Sequence, residues 1–295
     1  MFDTRVKLAL GNYRLSLDRP LVMGILNVTP DSFSDRTQMP LPEQAISDGV
    51  RLMDEGADIV DIGGESTRPE ADFVSEADEL ARVIPIVQAL AALNRCPISI
   101  DTRRASVMRA AVAAGAVLIN DVAALTEQGS LQAAADLGVS VVLMHMQGTP
   151  ATMQASPSYT DGVLDSVSRF LTERIFACQM AGIDKSKLLI DPGFGFGKTL
   201  EHNLMLLSQL DKLLTLGAPI LVGLSRKSMI AAITGRNTPS ERVAGSIAAA
   251  LIACDKGAKI IRTHDVAQTL DAIKVWAAVP RAQVKSVGAS VPVLF

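Results

Sequence analysis

Polar residues recur along this chain directly after short apolar, mostly β-branched runs. Asn27 closes the run 22–28, Asp61 the run 58–62 and Asp101 the run 97–100, while Asn120 and Asp121 follow 117–119. Further on, His145 follows 139–144, Asp191 follows 188–190, Ser225 and Lys227 follow 220–224, and Arg262 and His264 follow 259–261. Carboxylates beside an amide match the edge of a heterocycle that offers both donors and acceptors. Arginine and lysine match phosphate or carboxylate oxygens. Brought together, such residues make a site for a polar heterocycle and an anion. They read as an enzyme.

One architecture gathers the ends of eight separate runs. In a (β/α)8 barrel all strand C-termini surround a single mouth, and catalysis sits there. The segments between the runs carry helical periodicity: Leu80, Val83, Ile84 and Val87 share a face, as do Val163, Val167, Phe170 and Leu171, and Val243, Ile247, Leu251 and Cys254. Gly56, Gly115, Gly138, Gly182, Gly217 and Gly257 each stand shortly before a run, where a left-handed helix stop is expected. Upstream, apolar and polar residues alternate around Gly11 and Asn12, which predicts a β-hairpin covering the bottom of the barrel. The expected organisation is α/β: a single (β/α)8 TIM barrel over 1–280, with its N-terminal β-hairpin in 1–20, and a C-terminal tail over 281–295. The stretches 27–42 and 63–75 are long and polar and lie on the mouth side.

Composition agrees. A length of 295 residues suits one such barrel, and 48% hydrophobic residues suffice for its core, although aromatics at 4% leave the packing to aliphatics. A net charge of −3 offers no basic field for nucleic acid. The longest apolar run, 247–254, is far short of the ~18 residues of a membrane helix. Three scattered cysteines argue for free thiols and a cytoplasmic protein.

Individual motifs have competing readings. The segment 191–199, Asp-Pro-Gly-Phe-Gly-Phe-Gly-Lys-Thr, fails the phosphate-loop pattern because Pro192 stands where that pattern needs glycine, and its glycine spacing fails the dinucleotide pattern. What remains is a turn after Asp191 that sends Phe194 and Phe196 either into the core or, for Phe196, to the site. Asp101 either serves the site or caps the helix opening near Ala105. Lys227, Arg262 and His264 stand at strands seven and eight, where barrel phosphate sites form, and Ser225-Arg-Lys-Ser opens a helix whose amides favour an anion. The three histidines have no zinc spacing. Asn27 is an oxygen donor able to touch Mg2+ if substrate phosphates supply the other ligands.

In combination these segments resemble dihydropteroate synthase, a pterin-binding TIM-barrel family. The resemblance is carried by Gly-Ile-Leu-Asn-Val-Thr-Pro-Asp-Ser-Phe-Ser-Asp from Gly24, Asp-Ile-Gly-Gly-Glu-Ser-Thr-Arg-Pro from Asp61, Ile-Ser-Ile-Asp-Thr from Ile98 and Leu-Ile-Asn-Asp from Leu118. Leu-Met-His-Met-Gln-Gly from Leu143, the segment from Asp191, Leu-Ser-Arg-Lys-Ser from Leu224 and Ile-Arg-Thr-His from Ile261 complete it in order.

The resemblance implies condensation of 6-hydroxymethyl-7,8-dihydropterin diphosphate with 4-aminobenzoate, giving 7,8-dihydropteroate and diphosphate for folate synthesis. It assigns the pterin to Asp101, Asn120, Asp191, Lys227 and Arg262, with Asp101, Lys227 and Arg262 as the catalytic set. It assigns the diphosphate to Asn27, Thr67, Arg68, Arg262 and His264, with Mg2+ on Asn27. It assigns aminobenzoate to Phe33, Thr67, Pro69, Phe196, Lys227 and Ser228, where sulfonamides would compete, and it implies a homodimer. Three alternatives stay open: a methyltetrahydrofolate-dependent methyltransferase domain, a Schiff-base aldolase using Lys227, and a non-catalytic pterin-binding paralogue.

Overall fold

The computed structural model describes residues 7–28, 41–65, 74–149 and 152–279. Strands β1 (Lys7–Leu10) and β2 (Tyr13–Ser16) form the antiparallel hairpin, with Leu10 opposite Tyr13 and Gly11 at a φ of 54° in the turn. Eight barrel strands follow: β3 (Leu21–Asn27), β4 (Ile59–Gly63), β5 (Ile98–Asp101), β6 (Leu118–Asp121), β7 (Ser140–Met144), β8 (Leu188–Asp191), β9 (Leu221–Gly223) and β10 (Ile260–Thr263). Helices α1 (Leu41–Asp54), α2 (Glu76–Ala92), α3 (Ala105–Ala113), α4 (Ser130–Leu137), α5 (Val163–Met180) and α6 (Leu200–Ser208) connect them in turn. Two helices, α7 (Ser228–Thr234) and α8 (Val243–Asp255), separate β9 from β10, and α9 (Val266–Ala278) follows. The sheet order is β8-β7-β6-β5-β4-β3-β10-β9, every pairing parallel, and a single bridge from Ile190 to Ile220 all but closes the ring. This is the expected (β/α)8 barrel with its hairpin.

Side chains two apart on a strand face the same way, and this period builds the site. Met23, Ile59, Leu118, Val142, Leu189, Leu221 and Ile260 form an apolar layer inside the barrel, closed from below by Leu8, Leu10 and Leu17 around the hairpin. Two residues onward, the inward positions become Asp61, Asn120, Met144, Asp191, Gly223 and Arg262, beside Asp101 on β5. Each leucine or isoleucine in the lower layer contributes roughly 1.5–3 kcal/mol by burial. The polar layer above costs energy unless its members pair, so its hydrogen bonds decide its geometry.

A second core joins barrel to helices, including Val22, Ile62, Ile100, Ile119, Val141 and Ile190 from the strands. Leu80 and Ile84 of α2 pack at its margin, while Val83, Ile86, Val87 and Leu90 take the fully buried positions. In α8 the expected stripe is displaced: Ser246, Ala249, Ala250, Ala253 and Cys254 are buried, while Val243, Ile247 and Leu251 are only half-buried. That helix is apolar on nearly every side, so periodicity could not choose a face, and its buried positions go to its small residues. The expected glycine stops all have positive φ, and Gly138 (62°) and Gly217 (68°) cap their segments in the left-handed conformation. Among the described residues no helix is long and apolar enough to cross a membrane. The tail 281–295 and most of 27–42 and 63–75 lie outside the described residues.

Candidate active site

Arg262 stands at the centre of the polar layer. Its Nε donates to Asp61 Oδ2 at 2.6 Å and an Nη donates to Asp101 Oδ2 at 2.7 Å, so one guanidinium spans two carboxylates from β4 and β5. Asn120 Nδ2 donates to the same Asp61 oxygen at 3.0 Å. Asp101 therefore points into the barrel and not back along its helix; α3 starts at Ala105 without a side-chain cap, and buried Thr102 accepts from the Arg104 amide instead. Burial, together with the charges of Asp61, Asp121 and Glu79, pushes the Asp101 carboxyl up to about 7 although Arg262 pulls it down. Burial opposes the charge on Arg262, but Asp61 and Asp101 outweigh it and hold the guanidinium above its ordinary value.

Asp191, at the end of β8, accepts from the Gly193 amide at 2.7 Å. Burial raises its carboxyl, offset by that bond and by the charges of Lys227, Arg262 and Lys198. The glycines after it are required by packing. Gly193 has a φ of 69°, and a Cβ there would lie 1.8 Å from the His145 carbonyl oxygen. Buried Lys198 ties this turn to the end of β7: its ammonium donates to His145 Nδ1 at 2.9 Å, the Gly193 carbonyl at 2.9 Å and the Phe196 carbonyl at 3.0 Å. Burial draws Lys198 down to about 7 and His145 down to about 3. The two phenylalanines part company: Phe194 is buried in the core, and Phe196 turns outward so that Lys227 Nζ sits 4.1 Å above its ring centre.

Lys227 owes its place to a strained turn. Arg226 has a φ of 57°, a conformation that costs a non-glycine residue roughly 1–2 kcal/mol. Its side chain compensates by a two-pronged bond to Asp265 at 2.5 and 3.1 Å, and its amide donates to Ser246. Lys227 then caps α7, whose first residue, Ser228, is exposed beside it. Ser225 Oγ lies 3.0 Å from His264 Nδ1, joining the ends of β9 and β10. Gly223, paired in register with Arg262, leaves an opening: a Cβ there would meet nothing within 4 Å.

Asn27 ends β3 half-buried, in register with Gly63. Among the described residues no three His, Cys, Asp or Glu cluster to hold a metal. Asn27 offers a single amide oxygen, a donor that suits an ion taking its other ligands from water and substrate phosphate, as Mg2+ does.

This arrangement presents acceptors, an amide, a planar cation and an open floor to one small molecule, with Lys227, Arg262 and His264 on one side for an anion. The described chain also matches the pterin binding enzyme family model over residues 23–264. It is 50% identical over 277 residues to the dihydropteroate synthase of Haemophilus influenzae, covering 94% of this chain and 100% of that protein. The chain belongs to the dihydropteroate synthase family. A Xanthomonas albilineans dihydropteroate synthase solved with 4-aminobenzoic acid superposes with a TM-score of 0.88 at 55% identity, covering 94% of this chain and all of that one. A structure of the Xanthomonas albilineans enzyme with 7,8-dihydropteroate gives a TM-score of 0.85 at 52% identity, covering 93% and 100%.

Of the residues the family resemblance selects, Asp101, Asn120, Asp191, Arg262 and Lys227 lie in or directly beside one polar layer, with Phe196, Ser228, His264 and Asn27 at strand ends around it. Phe33, Thr67, Arg68 and Pro69 lie outside the described residues. Three participants were absent from the selected set. Asp61 was visible as a strand-end acid, but its link to Arg262 spans the barrel. Lys198 looked like part of a loop motif and is instead the buried tie between two strand ends. Gly223 could have been found by carrying the inward period from Leu221 one step further.

Proposed function

We infer that this protein joins 6-hydroxymethyl-7,8-dihydropterin diphosphate to 4-aminobenzoate, releasing diphosphate and 7,8-dihydropteroate, the transfer that dihydropteroate synthases contribute to folate synthesis. The observation that carries this reading is the polar layer of Asp101, Asn120, Asp191 and Arg262 inside a barrel that matches a 7,8-dihydropteroate-bound relative at 52% identity. Asp101, Asn120 and Asp191 pair with the donors and acceptors of the pterin edge, and Arg262 lies against its face above the opening at Gly223. Lys227, with Asp191 on one side and Phe196 on the other, spans pterin and aminobenzoate. Aminobenzoate is assigned to Phe196 and Ser228 and, on the family resemblance, to Thr67, Pro69 and Phe33, and sulfonamides would compete there.

The C–O bond to diphosphate breaks with its electron pair leaving on the diphosphate. The pterin methylene carbon then bonds to the aminobenzoate nitrogen, which loses its proton to solvent. The leaving anion is held by Arg262, His264, Thr67 and Arg68, and the developing cation by ionised Asp101. Bound on Asn27, Mg2+ would add charge neutralisation at the diphosphate. No covalent link to Lys227 is needed, and its ammonium over the Phe196 ring suits a fixed cation better than a free nucleophilic amine.

We take residues 1–280 as one domain and place the protein in the cytoplasm, which the buried free thiols Cys96, Cys178 and Cys254 fit. A homodimer is supported by exposed Leu204 and Met205 on α6, Ile233 on α7 and Ile252 on α8, three adjoining helices. The functional test is product analysis. Pterin diphosphate, 4-aminobenzoate and Mg2+ should yield 7,8-dihydropteroate by mass spectrometry with the intact protein, and much less with Asp191→Asn. Absence of that product with the intact protein overturns the reading.

A further inference from the structure

We propose that Asp61, a buried carboxylate on β4, is a positioning residue that fixes Arg262 and Asn120 for the pterin. The inference rests on the functional reading above. Asp61 is fully buried at 0% exposure, yet a single oxygen, Oδ2, accepts both from Arg262 Nε at 2.6 Å and from Asn120 Nδ2 at 3.0 Å. Among the described residues its other oxygen, Oδ1, is buried without a hydrogen-bond partner, and so is Ser99 Oγ, its register partner on β5. A core built for stability alone would not keep a half-satisfied carboxylate, because such a group costs several kcal/mol in a low-dielectric interior. Asp61 is retained with one oxygen idle, so its value lies in the charge and in what that charge holds.

Two consequences follow from the geometry. The guanidinium is gripped from β4 and β5 at once, which fixes its plane; a lone Asp101 contact would leave it free to pivot. Asp61 also faces Asp101 across that guanidinium. The charged groups acting on Asp101 are Arg262 from β10, Asp61 from β4, Asp121 from β6 and Glu79 from α2, and of these only Arg262 favours its ionised form. Burial first, and then three acids against one cation, keep Asp101 ready to take or release a proton near neutrality. An ionised Asp101 is the form that stabilises the developing pterin cation, so the acid limb of turnover reports this balance.

The experiment compares pH profiles of kcat/KM for pterin diphosphate, together with pterin binding, in the intact protein, Asp61→Asn and Asp61→Glu. Asp61→Asn removes a negative charge beside Asp101, so Asp101 should ionise more easily and the acid limb should move to lower pH by about one pH unit. Pterin binding should weaken about tenfold or more, because the asparagine oxygen still accepts from Arg262 and Asn120 but no longer carries the charge that holds the guanidinium in place. Asp61→Glu keeps the charge and displaces it, so the limb should stay near that of the intact protein while binding remains weakened. A folded Asp61→Asn whose limb stays in place overturns the proposal, as does unchanged pterin binding. Should that variant fail to fold, carboxyl NMR of the intact protein with labelled aspartate carries the test, Asp101 being identified by its loss in Asp101→Asn. A midpoint near 7 supports the coupling, and one near 4 overturns it. Failure of the functional reading is separate: the intact protein would then form no dihydropteroate, whatever the NMR titration shows.

Discussion

Filling the opening at Gly223 separates binding from stability. Gly223 ends β9, lies beside Arg262 in register, and its missing Cβ would meet no atom within 4 Å. Its φ is not positive, so alanine or valine meets no backbone strain there. Glycine in a strand interior costs roughly 0.5–1 kcal/mol relative to alanine, so Gly223→Ala and Gly223→Val should leave the melting temperature unchanged or slightly raised. The branched valine, however, enters the space between Asp191 and Arg262 that the pterin must occupy. Overpacking of that kind costs about 1–3 kcal/mol, which is roughly 5-fold to 150-fold in affinity. Calorimetric titration with a pterin, run beside thermal denaturation of the same preparations, measures both quantities. Undiminished pterin affinity in a stable Gly223→Val protein would refute the placement of the ligand above β9.

Gly193→Ala should do the reverse, destabilising the protein by about 2–5 kcal/mol through a disfavoured φ and a clash with the His145 carbonyl; urea denaturation measures it. Asp191→Asn should cut pterin affinity about 5-fold to 150-fold by setting an amide donor against a pterin donor, and calorimetry on a folded variant showing no loss would remove Asp191 from the site. Asp101 is raised from its ordinary value to about 7, so its contribution to stability is full below about pH 4 and is lost as pH rises through 7. The ligand-free Asp101→Asn variant should therefore show a flatter dependence of melting temperature on pH between 4 and 7, and an unchanged slope would contradict that ionisation. Asn27→Ala should weaken the Mg2+ response and diphosphate-dependent steps while sparing a pterin without phosphates; equal losses for both ligands would make Asn27 a scaffold residue.

The barrel was legible because most of the apolar runs lead into a polar residue and six of the segments between them end on a glycine, both local signals. The candidate site was legible for a related reason: Asp101, Asn120, Asp191 and Arg262 stand at or next to strand ends and Lys227 in the turn after β9, and the topology gathers them. Less visible were relations between distant strands. Nothing in the spacing of Asp61 and Arg262, 201 positions apart, announces a 2.6 Å contact. Lys198 was hidden in a glycine-rich motif, and its partners are the His145 ring, 53 positions away, and backbone carbonyls that carry no sequence signal. In α8 a nearly all-round apolar composition erased the period, so the buried face could be read only from which residues are small.

The most direct test of the central claim is the release of diphosphate from 6-hydroxymethyl-7,8-dihydropterin diphosphate, followed with and without 4-aminobenzoate. The account predicts release that depends on 4-aminobenzoate, matches 7,8-dihydropteroate mole for mole, and falls when a sulfonamide is added in competition. Release at the same rate without 4-aminobenzoate, or none with both substrates and Mg2+ present, would contradict it.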